Sequence, residues 1–378
     1  MTAPPLVDLI GARWRLEAPV AGIAWDGDLA AFGLGDGTVA LVRGRWDGGP
    51  RLVPRASGGA ELIPASQPAP PAMRAWVHDG ACLGLAADAA GGFLSGGDDG
   101  RLARIEPDGT VEAVAAFSDA WVDPVAAGAA GWAACAVGRR VHVLGPVAGA
   151  IDLPSSVFAL AFDPTGRHLA IAHYGGVTLW SAGGQGIGGQ GTRRLNGPGV
   201  YRSLAWSPDG RYLVGGLQEN ALHGWRVADG GDIEMGGYPG QPRSLSFSPD
   251  GRFLATSGGP QVVCWRFDPP GRQDGRSECG IPSRIPVTLV ACHPHRPLIA
   301  AGYHNGAVLL CRPGSTDSLF IRGSAGSPVS ALAWSADGEG LAFGTEDGEA
   351  GVVPFPDLLL RAEPAVPVRD HIRAEPQP

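Results

Sequence analysis

The 378-residue sequence contains no lysine, so all 29 of its basic residues are arginines. Enzymes that depend on a lysine amine, such as Schiff-base enzymes and P-loop nucleotide-binding proteins, are therefore excluded. The net charge of −8 also argues against a nucleic-acid partner, because binding to the phosphate backbone depends on clustered cationic side chains. No cofactor is predicted.

Long apolar runs and paired cysteines are missing as well. No run reaches the ~18 consecutive apolar residues of a membrane helix, and the first residues lack the basic and apolar segments of a signal peptide. The cysteines form no CxxC pair, and most lie in apolar, strand-like runs. We expect buried, reduced thiols and a cytoplasmic protein. The six cysteines are Cys82, Cys135, Cys264, Cys279, Cys292 and Cys311.

What the sequence has in excess is glycine and proline. The chain contains 60 Gly and 34 Pro, whereas only 17% of its residues are charged. This composition is typical of many short strands joined by tight turns. All-β propellers use chains of this length as one domain, so length does not require several domains.

The clearest internal repeat is the pair RSLAWSPDGRYLVGG and RSLSFSPDGRFLATS, which begin at Arg202 and Arg243. Related blocks begin at Phe158, Thr288 and Ser330. In each block an apolar run meets a turn and a second apolar run, which predicts a β-hairpin. The Pro-Asp-Gly of the two clearest copies suits a tight turn, because proline presets φ and glycine accepts a left-handed conformation.

A third strand follows each hairpin after a second tight turn, such as GDG at residues 35–37 or EDG at residues 346–348. Three of these strands end in Trp180, Trp225 and Trp265. The sequence resembles the WD-repeat β-propeller family, in a degenerate form of the bacterial type. The three tryptophans are followed by Ser or Arg instead of Asp, and the Gly-His pair of the family is missing. Packed apolar strands are therefore expected to supply most of the stability.

The resemblance implies an all-β propeller of four-stranded antiparallel blades. Three-strand units start near residues 20, 82, 122, 157, 200, 243, 287 and 329, which predicts eight blades, with seven as the alternative. Residues 12–20 are expected to complete the last blade and close the ring, since an unpaired edge strand promotes aggregation.

Two segments are expected outside the regular repeat. We predict a single propeller over residues 1–360 and a flexible tail over residues 361–378. The long insertion at about residues 45–75 is predicted to be a loop that carries one outer strand, in RLVPR or ELIP.

Catalytic motifs are absent from the sequence: there is no GxSxG, HExxH or CxxCH. We therefore predict no catalytic residue and no enzyme; the alternative is a propeller enzyme or metal-dependent hydrolase with its site in the channel mouth. Thiol and imidazole groups of one repeat are weak metal candidates, because CHPHRP occupies the position of the SPDG turn. These candidates are Cys292, His293, His295 and His304.

The family arrangement implies that the loops before the first strands and the turns between second and third strands share one face around the channel. This face is the usual partner site of the family. Protein interfaces favour Trp, Tyr and Arg, which are well represented at these positions. The predicted partner-binding residues are Trp76, Trp121, Arg139, Arg140, Tyr174, Tyr201, Arg202, Arg243, Arg284, Tyr303 and His304.

We therefore predict a non-catalytic scaffold for protein–protein interaction. Arginine forms charge-assisted, often bidentate hydrogen bonds with carboxylates, so the expected partner is a protein or an acidic peptide. No membrane is expected to take part, and the protein is predicted to be monomeric apart from its complex.

Overall fold

A computed structural model describes residues 4–55, 60–182, 191–267 and 275–356. The strands in these ranges form eight four-stranded antiparallel sheets and one separate two-stranded sheet. The predicted eight-bladed propeller is therefore confirmed.

Blades 1 to 4 follow one another along the chain. Their strands, in hydrogen-bonding order, are β2 (Val20–Asp26), β3 (Leu29–Leu34), β4 (Thr38–Arg43) and β7 (Met73–Trp76) in blade 1; β8 (Cys82–Ala87), β9 (Phe93–Gly97), β10 (Arg101–Ile105) and β11 (Val111–Ala116) in blade 2; β12 (Val125–Ala127), β13 (Ala133–Val137), β14 (Arg140–Leu144) and β15 (Gly149–Asp152) in blade 3; and β16 (Ala159–Phe162), β17 (His168–His173), β18 (Gly176–Ser181) and β19 (Thr192–Asn196) in blade 4.

Blades 5 to 8 continue the same order, and blade 8 takes its fourth strand from the start of the chain. Their strands are β20 (Tyr201–Trp206), β21 (Tyr212–Leu217), β22 (Leu222–Arg226) and β23 (Gly231–Met235) in blade 5; β24 (Leu245–Phe247), β25 (Phe253–Thr256), β26 (Val262–Arg266) and β27 (Arg276–Cys279) in blade 6; β28 (Val287–Cys292), β29 (Ile299–Tyr303), β30 (Val308–Cys311) and β31 (Ser318–Arg322) in blade 7; and β32 (Val329–Trp334), β33 (Gly340–Thr345), β34 (Glu349–Pro354) and β1 (Ala12–Arg15) in blade 8.

The ring is closed at two levels. Each first strand approaches the first strand of the next blade to within 8 Å between Cα atoms, from blade 1 round to blade 8 and back to blade 1. At the outer edge of blade 8, β1 pairs antiparallel with β34, and Trp14 lies opposite Ala350. The predicted N-terminal strand thus closes the ring.

The SPDG segments form the turns between first and second strands, as their sequence predicts. In blade 5 the Ser207 hydroxyl donates to the Asp209 carboxylate (2.6 Å) and accepts the amide of Tyr212 (2.9 Å). The amide of Arg211 donates to the same carboxylate (3.0 Å), and Gly210 has a φ of +69°. Because these polar groups have partners within the turn, they need no contact with another blade.

Adjacent blades are joined by tryptophans at the ends of first strands. The indole N–H of each of these tryptophans donates to a backbone carbonyl in the first strand of the preceding blade. These bonds satisfy polar groups that would otherwise be buried without a partner. The pairs are Trp25 with Ala333 (3.1 Å), Trp206 with Ala161 (3.0 Å) and Trp334 with Ala291 (3.0 Å).

A histidine network is present in blade 2, although the Gly-His pair is missing from the sequence. The two ring nitrogens of His78 contact the Asp99 carboxylate (3.0 Å) and the Ser95 hydroxyl (2.9 Å). Blade 6 uses a tyrosine instead: the Tyr238 hydroxyl bonds with Thr256 (2.7 Å) and accepts the Trp265 indole N–H (2.6 Å). These two blades thus add a polar network to their apolar packing.

The insertion differs from the prediction. RLVP and AELI pair with each other as β5 (Arg51–Pro54) and β6 (Ala60–Ile63), a hairpin outside the blades. The outer strand of blade 1 is β7, in which Ala75 packs against the core. An outer strand must lead directly into the next blade, and β7 ends close to the start of β8. The predicted tail, residues 361–378, lies outside the described residues.

A short helix, α1 (Leu6–Ile10), covers the apolar side of blades 7 and 8. No helix in the described part of the chain has the length and apolar character needed to cross a membrane.

Candidate protein-binding face

Two faces of the ring are formed by different connections. The upper face consists of the loops that enter first strands, the turns between second and third strands, and the strand ends joined to them. The lower face carries the turns between first and second strands. The upper loops are residues 16–19, 77–81, 117–124, 153–158, 197–200, 236–244, 280–286 and 323–328, and the upper turns are 35–37, 98–100, 138–139, 174–175, 218–221, 257–261, 304–307 and 346–348.

Arg202 and Arg243 occupy the same repeat position in blades 5 and 6, and both are exposed where their first strands begin. Arg202 donates to the side chain of Gln218 (3.0 Å), and its guanidinium lies 4.9 Å from the ring centre of Phe158. Arg243 donates to the side chain of Gln241 (2.9 Å). Neither arginine has an ion-pair partner in the described part of the chain. Both therefore keep donors for a carboxylate from outside.

A cavity of about 500 Å³ lies on the same face, between the loops of blades 6 and 7. Its wall is mainly proline and glycine, with Gln241 on one side and the exposed Arg284 on the other. Gln241 also accepts a hydrogen bond from Arg243, so the cavity adjoins this arginine. Within the described ranges, Arg284 forms neither an ion pair nor a hydrogen bond.

Three aromatic side chains project from the upper face. Trp76 is 73% exposed, Trp121 is 69% exposed and Tyr174 is 63% exposed. They are the three most exposed large apolar side chains in the part of the chain that the structure describes. Such side chains on one face suit a protein contact, because burying them removes apolar area from water.

The other polar residues of the prediction differ in what they offer a partner. Arg139 and His304 are exposed in upper turns. Arg140 instead forms a fork with the Asp152 carboxylate, through bonds of 2.9 and 2.8 Å. The hydrogen bond from Arg140 lowers the pKa of Asp152, so the pair is ionised at neutral pH. Arg140 therefore brings little unbalanced charge to the face.

The prediction that Tyr201 and Tyr303 lie on the binding surface is wrong, because both side chains are buried. Tyr201 is 0% exposed, its hydroxyl contacts Nδ1 of His223 (3.0 Å), and its ring packs against Trp225. Burial raises the pKa of Tyr201 and lowers that of His223, so both groups are neutral. Tyr303 is 3% exposed between blades 6 and 7. Both side chains support the core beneath the face.

The weak metal candidates do not converge. His293 and His295 lie in a lower-face turn, where one ring nitrogen of each contacts a backbone carbonyl of blade 8 (3.1 and 3.0 Å). His304 lies on the upper face, and Cys292 is at the lower end of its strand. Among the described residues, no group of three or more His, Cys, Asp or Glu could hold a metal ion.

Comparison with known proteins agrees with this architecture. Residues 235–266, which include the first three strands of blade 6, match the profile "WD domain, G-beta repeat". Residues 290–355 match the profile "Anaphase-promoting complex subunit 4 WD40 domain". Both matched segments lie in the repeats of the eight-bladed ring, which supports an assignment of the chain to the WD-repeat β-propellers.

A solved structure shares the overall fold of this chain. The crystal structure of the computationally designed Ika8 protein superposes with a TM-score of 0.67 at 15% identity, over 92% of this chain and 99% of that chain. At this identity the likeness concerns the fold alone. No curated protein sequence matches the chain. WD-repeat propellers generally mediate protein–protein interaction.

Proposed function

We propose that this WD-repeat propeller is a non-catalytic scaffold that binds an acidic segment of a partner protein on its upper face. The observation that carries the proposal is the set Arg202, Arg243 and Arg284, exposed on blades 5 to 7 without a carboxylate partner in the described chain. Guanidinium groups pair with carboxylates in a planar, two-bond geometry. An acidic segment laid across these blades satisfies all three.

The exposed aromatic side chains supply a second element of recognition. Trp76 stands on blade 1, Trp121 at the entry to blade 3 and Tyr174 on blade 4, the blade that adjoins blade 5. Interface hot spots are enriched in Trp, Tyr and Arg, and aromatic anchors contribute affinity that exposed charges alone do not. We propose that these side chains contact apolar residues flanking the acidic segment, and that the protein is a monomer outside this complex.

The test is binding of a fluorescently labelled peptide in which leucine residues flank a run of aspartate and glutamate residues, followed by anisotropy. The double variant R202A/R243A is compared with R211A/R252A, which removes exposed arginines from the lower face of the same two blades. A loss of about 1 kcal/mol for each exposed arginine predicts roughly 30-fold weaker binding for the upper-face variant only.

Equal affinity of wild type and R202A/R243A would refute the proposed face. An equal loss of affinity in both double variants would show that the peptide responds to net charge and not to the upper face. The affinities are also compared at raised salt. Salt screens the long-range attraction between the peptide and the protein charges, and this loss of affinity is expected to be the same in all variants.

A further inference from the structure

Three buried thiols meet between blades 6 and 7. The Cys279 sulfur, at the end of β27, lies 3.5 Å from the Cys264 sulfur in β26 and 3.5 Å from the Cys311 sulfur in β30. The three residues are 0%, 0% and 2% exposed. Cys279 is therefore the shared member of two possible pairs.

The strand register favours one of these pairs. Cys264 lies opposite Ser277 and Cys279 lies opposite Val262, so the two cysteines are diagonal neighbours in their sheet. Diagonal Cβ atoms are about 7 Å apart in antiparallel sheets, whereas a disulfide needs about 3.8 Å. Forming that bond would require β26 and β27 to shift against each other.

Cys311, in the neighbouring blade, is better placed to form a disulfide with Cys279. A Cβ atom at Gly280, the residue after Cys279, would lie 3.9 Å from the Cβ of Cys311. The backbone beside Cys279 is thus already close to Cys311. We propose that Cys279 and Cys311 are a site of reversible oxidation, whose disulfide joins blade 6 to blade 7.

The oxidant is a small hydroperoxide. A cysteine sulfur attacks one peroxide oxygen and breaks the O–O bond, which gives a sulfenic acid and releases water or an alcohol. The second thiol then attacks the sulfenic sulfur; the S–S bond forms, and the hydroxyl leaves as water with the proton of the second thiol. The two sulfurs together lose two electrons, and the peroxide gains them.

Cys279 is the thiol that reacts first. Hydrogen bonds from the flanking thiols of Cys264 and Cys311 lower its pKa, although burial opposes this effect. The same hydrogen bond and burial raise the pKa of Cys311. The thiolate is the nucleophile, so Cys279 attacks the peroxide and Cys311 resolves the sulfenic acid.

The upper-face cavity gives the oxidant an approach. Val287 lines that cavity and also belongs to the apolar cluster that contains Cys279 and Cys311. A peroxide in the cavity therefore contacts a member of the apolar cluster that also contains the thiols. Oxidation would tie together the two blades that flank the cavity and Arg284.

The experiment treats the folded full-length protein with graded hydrogen peroxide, alkylates the remaining thiols and maps the peptides by mass spectrometry. The expected product is a cross-link between the peptides of Cys279 and Cys311, lost on reduction. C264S, which removes an equally buried thiol of the cluster, keeps this cross-link, and C311S lacks it. Thermal unfolding confirms that each variant is folded.

Several outcomes overturn the proposal. They are a Cys264–Cys279 cross-link in the wild type, oxidation to sulfonic acid without a cross-link, and full recovery of alkylated Cys279 and Cys311 after treatment. The mapping of wild type decides by itself if C311S does not fold.

Discussion

The ion pair between Arg322 and Glu349 gives the sharpest stability prediction. Arg322, in the outer strand of blade 7, donates through Nε and Nη2 to the two carboxylate oxygens of Glu349 in blade 8, at 3.0 and 2.7 Å. The Arg322 side chain is 3% exposed and that of Glu349 is 17% exposed. Arg322 also donates to the carbonyl of Gly306. One guanidinium thus links a strand, a turn and the neighbouring blade.

The change E349Q keeps the shape of the side chain and removes its charge. Breaking a buried pair costs about 3–5 kcal/mol because it leaves a charge without its partner. The lower end applies here, since Glu349 is partly exposed and the amide retains one acceptor oxygen. With an unfolding entropy of ~2.1 cal/mol/K per residue, a loss of about 3 kcal/mol lowers the Tm by roughly 4 °C.

The matched control is D152N, which disrupts the two-bond pair between Arg140 and Asp152 in blade 3. Arg140 and Asp152 have similar geometry, but their side chains are 52% and 57% exposed. Exposed pairs contribute about 0–1 kcal/mol, so D152N should shift the Tm by about 1 °C or less. Thermal unfolding followed by circular dichroism measures both variants at pH 7. Equal shifts in the two variants, or no shift in E349Q, would refute the argument from burial.

The same pair has a pH dependence of defined sign. The hydrogen bond from Arg322 lowers the pKa of Glu349 in the folded state. The stabilisation is therefore fully present above the unfolded pKa of about 4.3 and is lost as the pH falls through the folded value. The difference between wild type and E349Q should shrink in acid; a constant difference down to pH 2 would contradict the assignment.

Two further variants separate packing from binding. W334F removes the indole N–H that reaches the carbonyl of Ala291 and should cost about 1–2 kcal/mol in urea unfolding, because that carbonyl loses its partner; an unchanged midpoint would show that the bond contributes nothing. W121A removes a side chain that is 69% exposed, so stability should change by less than about 0.5 kcal/mol while the acidic peptide binds more weakly. A loss of stability without weaker binding would place Trp121 in the scaffold instead of the interface.

Local chemistry explains why most of the fold could be predicted from the sequence. The SPDG turn contains its own hydrogen-bond partners, as Ser207 and Asp209 show, so its structure follows from a few neighbouring residues. Repetition of this turn and of the apolar runs gave the number of blades. Ring closure followed from the need to pair the outer edge of blade 8.

The errors concern contacts that no local pattern encodes. RLVP and AELI both have sequences that favour a β-strand. They could pair with each other or with blade 1, and the sequence does not show which pairing forms. Tyr201 is buried and its neighbour Arg202 is exposed, and a register shift between Tyr201 and Ser203 interrupts the regular strand pairing there. The cysteine cluster joins β26, β27 and β30 and becomes visible only when two blades pack.

The pairing of β1 with β34 determines when blade 8 can form. Arg15 bonds to Asp347 across a sequence separation of 332 residues, whereas each of the other seven blades draws its strands from one contiguous stretch of chain. Those seven can be built in order as synthesis proceeds. The eighth stays incomplete until β34 has been synthesised, so this joint has a larger loop-closure cost than any other strand pairing in the described part of the chain, and it keeps the ring closed once formed.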